Sequence, residues 1–369
     1  MTIFKPLSAD DRVSTKTLLH EAIPITGTIV SGTYADGNIQ NFTHGMFQSV
    51  YDYPYLSSSA NHIFDITFGT SATSALVVTN QIAKKDNVYN QMAQVLMGYD
   101  QNGAIQKFDS DGDLTTTGDK ISDVAVLSFS RLLSKDEIKK GSFELELGVA
   151  NNISASFAQR IKILDVGADT SYKVNSPAGE YGILYATGST TTTNILSTTG
   201  SNIATHTASV GGATYWKAGL IYYQAGVIVL TSSIWHDCSH GGYLITSSVD
   251  FDGAGGTFTG SLETLEISSS ADYLRRRMYN TQFNNTIELN STVYFCRAKH
   301  NEFNYSANPT YLTGSQIRVK NQATDAPISY ITSIGLYSAD NQLLAVGKFS
   351  EPIRKDSNIE LTFRARLDY

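Results

Sequence analysis

Charge is scarce in this chain. Asp, Glu, Lys and Arg make up 17% of its 369 residues, and the formal net charge is −7. Nucleic-acid affinity rests mainly on Lys and Arg, so this balance argues against a general phosphate-binding surface, and no nucleic-acid partner is expected. The one dense basic run, Arg275-Arg276-Arg277, is short and lies in a helical-looking stretch. Cysteine is scarcer still. Cys238 and Cys296 are too few for a disulfide framework, and a bacterial cytoplasm would keep both reduced. Long hydrophobic runs are missing too: the most apolar one, Leu220 to Leu230, falls far short of the ~20 residues a membrane-spanning helix needs. Met1 to Asp11 is polar and lacks the continuous apolar core of a signal peptide. A soluble chain made in a bacterial cytoplasm, with no membrane partner, is the expectation. Proline is rare, at 7, while Tyr and Phe reach 21 and 16, which excludes a disordered chain.

Ser, Thr, Asn, Gly and Tyr take the place of the missing charge. Thr and Tyr pack well on a pleated surface, and Gly and Asn supply positive φ in turns. The length exceeds what one hydrophobic core usually holds. Alternation dominates over helical periodicity. Ile359, Leu361, Phe363, Ala365 and Leu367 fall on one face of a C-terminal strand, and Glu360, Thr362, Arg364, Arg366 and Asp368 on the other. Tyr330 to Tyr337 and Leu343 to Phe349 flank the polar loop Ser338 to Gln342, which predicts a β-hairpin. Leu220 to Tyr223 and Val227 to Leu230 flank Gln224-Ala225-Gly226 and predict a tighter one.

Helices are few. The pattern from Asn80 to Met97 predicts an amphipathic helix capped by Asn80. Ser134-Lys135-Asp136-Glu137 has the form of a capping box opening a short helix through Lys140. Ala271 to Tyr279, preceded by Ser268-Ser269-Ser270, is a third candidate. Composition shifts near Asp165 and Gly260, and between them lie Ser189 to Thr193, Ser197 to Ser201 and Gly253 to Gly256, polar β-formers with glycine turns. The reading is mainly β: an antiparallel β-sandwich-like body with a few short helices, built from 1–165 and 261–369, into which 166–260 is inserted as a Ser/Thr/Gly-rich β module. No period of 20–50 residues repeats, so neither a solenoid nor a propeller is indicated.

Two clusters could carry chemistry. His236-Asp237-Cys238-Ser239-His240 offers zinc-type ligands, but four-coordination would need distant residues such as His206 or His300, and a strand end with ordinary polar side chains is the expectation. Asp109-Ser110-Asp111-Gly112-Asp113 resembles the opening of a calcium loop, in which alternating carboxylates converge on a hard cation. It departs at Leu114, where such loops have glycine, and at Lys120, where they have a bidentate glutamate, so a solvated turn is expected. No nucleophile elbow or phosphate-binding glycine loop is present. Asp65, Asp250, Asp252, Glu263 and Glu266 read as solvated carboxylates. No catalytic residue, cofactor or metal is assigned.

Two further stretches are aromatic and polar together: Gly45 to Leu56, with Phe47, Tyr51, Tyr53 and Tyr55, and Asn301 to Tyr311, with Phe303, Tyr305 and Tyr311. Tyr and Phe suit surfaces that become buried on association, because they bring large area at low entropic cost. These seven rings, with Ile359, Leu361 and Phe363 of the last strand, are the candidate interface residues.

His20 to Thr28, the Met46 to Leu56 segment, Tyr294-Phe295-Cys296-Arg297 with His300 to Tyr305, and the ending from Tyr330 to Lys348 resemble virion structural proteins of contractile-tailed bacteriophages, particularly marine ones. The resemblance covers 1–165 and 260–369 and carries over no binding residues. It implies a non-enzymatic structural subunit of the tail or baseplate, wedge-type, located in the virion and acting by binding other virion proteins as a homo-oligomer in a symmetric assembly. A neck, collar or fibre-adaptor subunit is the first alternative. The second is a receptor-binding fibre protein, taking a host surface glycan on the aromatics Tyr215, Trp216, Tyr222, Tyr223 and Trp235 of the insertion.

Overall fold

The computed structural model describes residues 4–24, 36–74, 78–115, 120–148, 160–188, 207–235, 243, 265–305, 312–313, 316–317, 324 and 327–369. In chain order the elements are β1 (Arg12–Pro24), β2 (Ile39–Asn41), β3 (Gln48–Tyr51), β4 (His62–Thr70), α1 (Ile82–Leu96), β5 (Phe108–Asp109), β6 (Lys120–Ile121) and β7 (Asp123–Phe129). They continue with α2 (Arg131–Ser134), β8 (Glu137–Ile138), β9 (Glu144–Gly148), β10 (Arg160–Leu164), α3 (Ala168–Ser171), β11 (Tyr181–Gly188), β12 (Thr207–Val210), β13 (Ala213–Tyr222) and β14 (Val227–Thr231). Last come α4 (Ile267–Arg277), β15 (Met278–Ala298), β16 (Leu312–Thr313), β17 (Gln316–Ile317), β18 (Ile328–Tyr337), β19 (Leu343–Asp356) and β20 (Leu361–Asp368). The fold is mainly β, with a large antiparallel sheet and few helices.

The chain divides into two units: a terminal one, Met1–Leu19 with Glu288–Tyr369, and a larger one, His20–Ile287. This differs from the division drawn on composition. The described strands of 166–260 do not form a module of their own, because β11, β13 and β14 run between β10 and β7 in the middle of the larger unit's sheet. The reason is pairing: β11 takes β10 on one side and β13 on the other, and β14 joins β13 to β7. The Ser/Thr/Gly runs that suggested an insertion lie outside the described residues.

In the larger unit the strand order is β15-β9-β10-β11-β13-β14-β7-β4-β3-β2, with β12 added at β13 and β8 at β15. Both faces of the central strands are covered. On β7, Ala125, Leu127 and Phe129 enter one apolar cluster, which also takes Ile267, Ala271 and Leu274 of α4. Val124 and Val126 enter a second, against Tyr89, Ala93 and Leu96 of α1. This explains the continuous apolar runs at Val124–Leu127 and Val227–Leu230, since a strand buried on both sides has no polar face to show. Phe129 of β7 meets Phe283 of β15 at 5.1 Å between ring centroids, although five strands separate the two in the sheet. One sheet therefore curls over its own core, and this curling makes the layers.

Helix positions confirm some expectations and correct others. Helix α1 forms where periodicity placed it, but Gln81, with φ +51, stands at its cap instead of Asn80. The Gln81 side-chain oxygen instead accepts the amide of Ile267, the first residue of α4. The Ser134 box does not start a helix. Ser134 ends α2, which Ser130 caps, and Lys135 then turns with φ +54 into β8. Ile138 is fully buried and β8 pairs with β15 at Asn285 and Thr286, a gain that outweighs a cap worth about 1 kcal/mol. Ser268 to Ser270 lie inside α4, and Tyr279 belongs to β15.

In the terminal unit, β20 pairs with Ser291–Ala298 of β15, and β18 pairs with β19 as the expected hairpin. Burial alternates along β20 residue by residue. The Leu220–Leu230 hairpin also forms, as β13 and β14, with Gly226 at φ +67 in its turn.

Candidate functional site

The terminal unit exposes many apolar side chains among its described residues. Both clusters of buried apolar side chains belong to the larger unit, and among the described residues of the terminal unit Ala298 is the one buried apolar residue. On the hairpin, Tyr330, Tyr337, Leu343, Leu344 and Val346 are exposed, Leu344 by 67%. Tyr337 is flanked edge-on by Phe4 at 4.8 Å. Of the candidate interface residues, Leu361 and Phe363 are half-buried on β20, with Phe363 4.8 Å from Phe349, and Ile359 is half-buried just before the strand. Phe303 is half-buried at a positive φ, and its carbonyl accepts the Ser329 hydroxyl. Tyr305 is exposed, and Tyr311 lies outside the described residues. The hairpin's outward side chains were missed from sequence, although adjacent Leu343 and Leu344 already put apolar groups on both its faces.

The larger unit has an aromatic patch at the β2–β3–β4 end of its sheet. Phe47 is half-buried 4.6 Å from Phe42 and 5.1 Å from His44. Tyr51 donates to the Gln40 side chain at 3.0 Å and lies 5.4 Å from the His62 ring and 6.3 Å from Tyr55. Tyr53, Tyr55 and Leu56 are exposed. Beside them His62 Nε2 and Ser49 Oγ both bond Asp65 Oδ1, at 2.9 and 2.5 Å. The hydrogen bond to Asp65 raises the His62 pKa. Here the serine meets the carboxylate and not the imidazole, so the arrangement lacks the nucleophile-to-base contact of an acyl-transfer site.

Four of the five rings assigned to glycan binding are not on the surface. Trp216, Tyr222, Tyr223 and Trp235 are buried in the core and Tyr215 is half-buried, because strand β13 and the turn after β14 have both faces covered. The His236 to His240 cluster lies outside the described residues, as do Asp250, Asp252 and Glu263. Glu266 is exposed and stands at the N-terminus of α4.

The aspartate run joins β5 to β6, and it is not the solvated turn expected. Asp109 is fully buried. Its Oδ1 accepts the amides of Asp111 and Gly112 at 3.1 and 3.3 Å, and its Oδ2 takes the ammonium of Lys120. Asp111 accepts the Asp113 amide at 3.3 Å, and Asp113 accepts the amide and hydroxyl of Thr115, each at 2.9 Å. One carboxylate oxygen from each of the three aspartates lies within 4.8 Å of the other two. Leu114 takes φ +59, the turn for which calcium loops use glycine. Lys217 lies 3.7 Å from Asp111. Burial disfavours the Asp109 charge, but the hydrogen bonds from Asp111 and Lys120 outweigh it and hold that carboxyl below its usual range, while the bond to Asp109 pushes Asp111 up.

No family model matches this chain, and neither does any characterised protein or solved structure compared with it.

Proposed function

We propose that the chain is a non-enzymatic structural subunit of a bacteriophage virion, a wedge-type component of a contractile-tail baseplate that works by binding other subunits as part of a symmetric homo-oligomeric assembly. The observation that carries the reading is the terminal unit, whose exposed hairpin rings and leucines go with only one buried apolar residue among those described. A two-stranded hairpin is marginal alone in water, and an apolar patch of this kind is a feature of surfaces that associate. The unpaired edge of a strand can also take a further strand from a neighbour. Assignment to a phage particle rests on the resemblance of the chain's two ends to tail proteins.

Immunogold labelling of purified particles tests the assignment. Label on the tail or baseplate is expected, label at the neck would move the subunit to the collar, and particles without label would refute a virion role. A chain lacking Ile359 to Tyr369 is expected to stay out of particles, and its normal incorporation would overturn the part given to β20.

A further inference from the structure

Three carboxylates on alternate residues, drawn to within 4.8 Å of one another, put at least two like charges in near contact. Like charges so close are costly unless a cation or proton offsets them. Lys120 offsets one of them, at the buried Asp109, and Lys217 stands farther off, at 3.7 Å from Asp111. Among the described residues, the Asp113 carboxylate accepts hydrogen bonds from Thr115 and no cation.

A second, independent feature points to a ligand at this place. Tyr181 is 0% exposed, and among the described residues its hydroxyl makes no hydrogen bond of good geometry; the nearby Asn175 amide donates instead to the Gly112 carbonyl at 3.2 Å. The Tyr181 hydroxyl reaches the aspartate loop, lying 3.1 Å from where a β-carbon on Gly112 would stand. The Ser110 hydroxyl, inside the same run, is also buried and unpartnered. Buried hydroxyls are nearly always bonded, so two orphans beside three carboxylates call for a group that can bond them, such as water carried on an ion.

We propose that Asp109, Asp111 and Asp113 form a divalent-cation site suited to Ca²⁺, for which the Lys120 ammonium competes. The ligands are all oxygen, as a hard cation prefers, and the three aspartates fall at the first, third and fifth positions of a calcium loop, with Leu114 making the turn that follows. The ion draws the three carboxylates together and displaces the ammonium, which is partly exposed and free to swing into water. Competition with Lys120 makes the site weak, with half-saturation on the order of 10⁻⁴–10⁻³ M, the range of extracellular calcium modules.

The test uses the full chain after treatment with a chelator. Equilibrium dialysis against radioactive Ca²⁺ and melting temperature at increasing Ca²⁺ are read together, since an ion that binds only the folded state raises the melting temperature. Saturable binding with a rising melting temperature is expected. Asp113→Asn, an exposed change that leaves the buried Asp109 alone, is expected to abolish both, and Lys120→Gln to lower the half-saturating Ca²⁺ by about tenfold, one competing charge being removed. Two results would overturn the proposal: no Ca²⁺ binding by the native chain, even if Lys120→Gln binds, which would make Lys120 the loop's permanent cation; or binding that survives Asp113→Asn unchanged.

Discussion

Gly69 of β4 lies directly under the backbone of Tyr89 in α1: a β-carbon on Gly69 would stand 2.7 Å from the Tyr89 amide nitrogen. Helix α1 can sit this close to the sheet because that position has no side chain. From this seat Tyr89 donates its hydroxyl to the Ile121 carbonyl at 2.7 Å and ties helix, sheet and the β6 end of the aspartate loop together. Gly69→Ala is therefore expected to push the helix off the sheet and cost about 1–3 kcal/mol, the usual range for overpacking. Urea denaturation of the two proteins measures it, and equal midpoints would contradict the close approach.

Asp165 gives a pH dependence whose sign is fixed. It is buried and accepts the amides of Gly141 and Phe143 at 2.7 and 3.0 Å, and burial raises its pKa to about 7. The folded chain keeps a proton between about pH 4 and 7 that the unfolded chain has released, so stability from this group falls as pH rises through that window. The slope is at most about 1.4 kcal/mol per pH unit. Asp165→Asn is expected to flatten the native profile across that window. An unchanged slope in the variant would refute the assignment.

His62 should titrate above its ordinary value of 6.5, because its strongest influence is the hydrogen bond to Asp65. The sign is the same as that of Asp165, in a higher pH window: the stability it contributes is present below pH 6.5 and is lost as pH rises through the folded pKa. An NMR titration of the ring protons reads the midpoint directly. Asp65→Asn is expected to bring it back down, and an unmoved midpoint would show that Asp65 is not the cause.

The exposed hairpin separates folding from assembly. Leu344→Glu with Val346→Glu changes side chains that are 67% and 60% exposed, so the melting temperature should stay within a degree or two, as for most surface changes. Incorporation into particles, or self-association read by analytical ultracentrifugation, is expected to be lost. Normal assembly of the double variant would remove the hairpin from the proposed interface.

Local pattern alone determined a good part of this protein. Strict alternation from Ile359 to Asp368 specified strand β20 and its faces. Gln224-Ala225-Gly226 and the polar loop at 338–342 specified two hairpins, because a hairpin is built from neighbours in sequence and its turn chemistry is written in a few residues. The alternating aspartates were legible as a calcium-type run for the same reason. Tertiary structure decided the rest. Whether Ser134 opens a helix depended on the pairing of β8 with β15, nearly 150 residues away in sequence. Whether Trp216 and Tyr222 are binding rings or core depended on what covers both faces of β13. Asp109 was expected in solvent and is buried, because β5 and β6 place it opposite Lys120, Tyr181 reaches the same loop at Gly112, and Tyr89 packs on the same strand. Burial and charge environment are properties of groups brought together from distant parts of the chain, and periodicity within one segment carries no record of them.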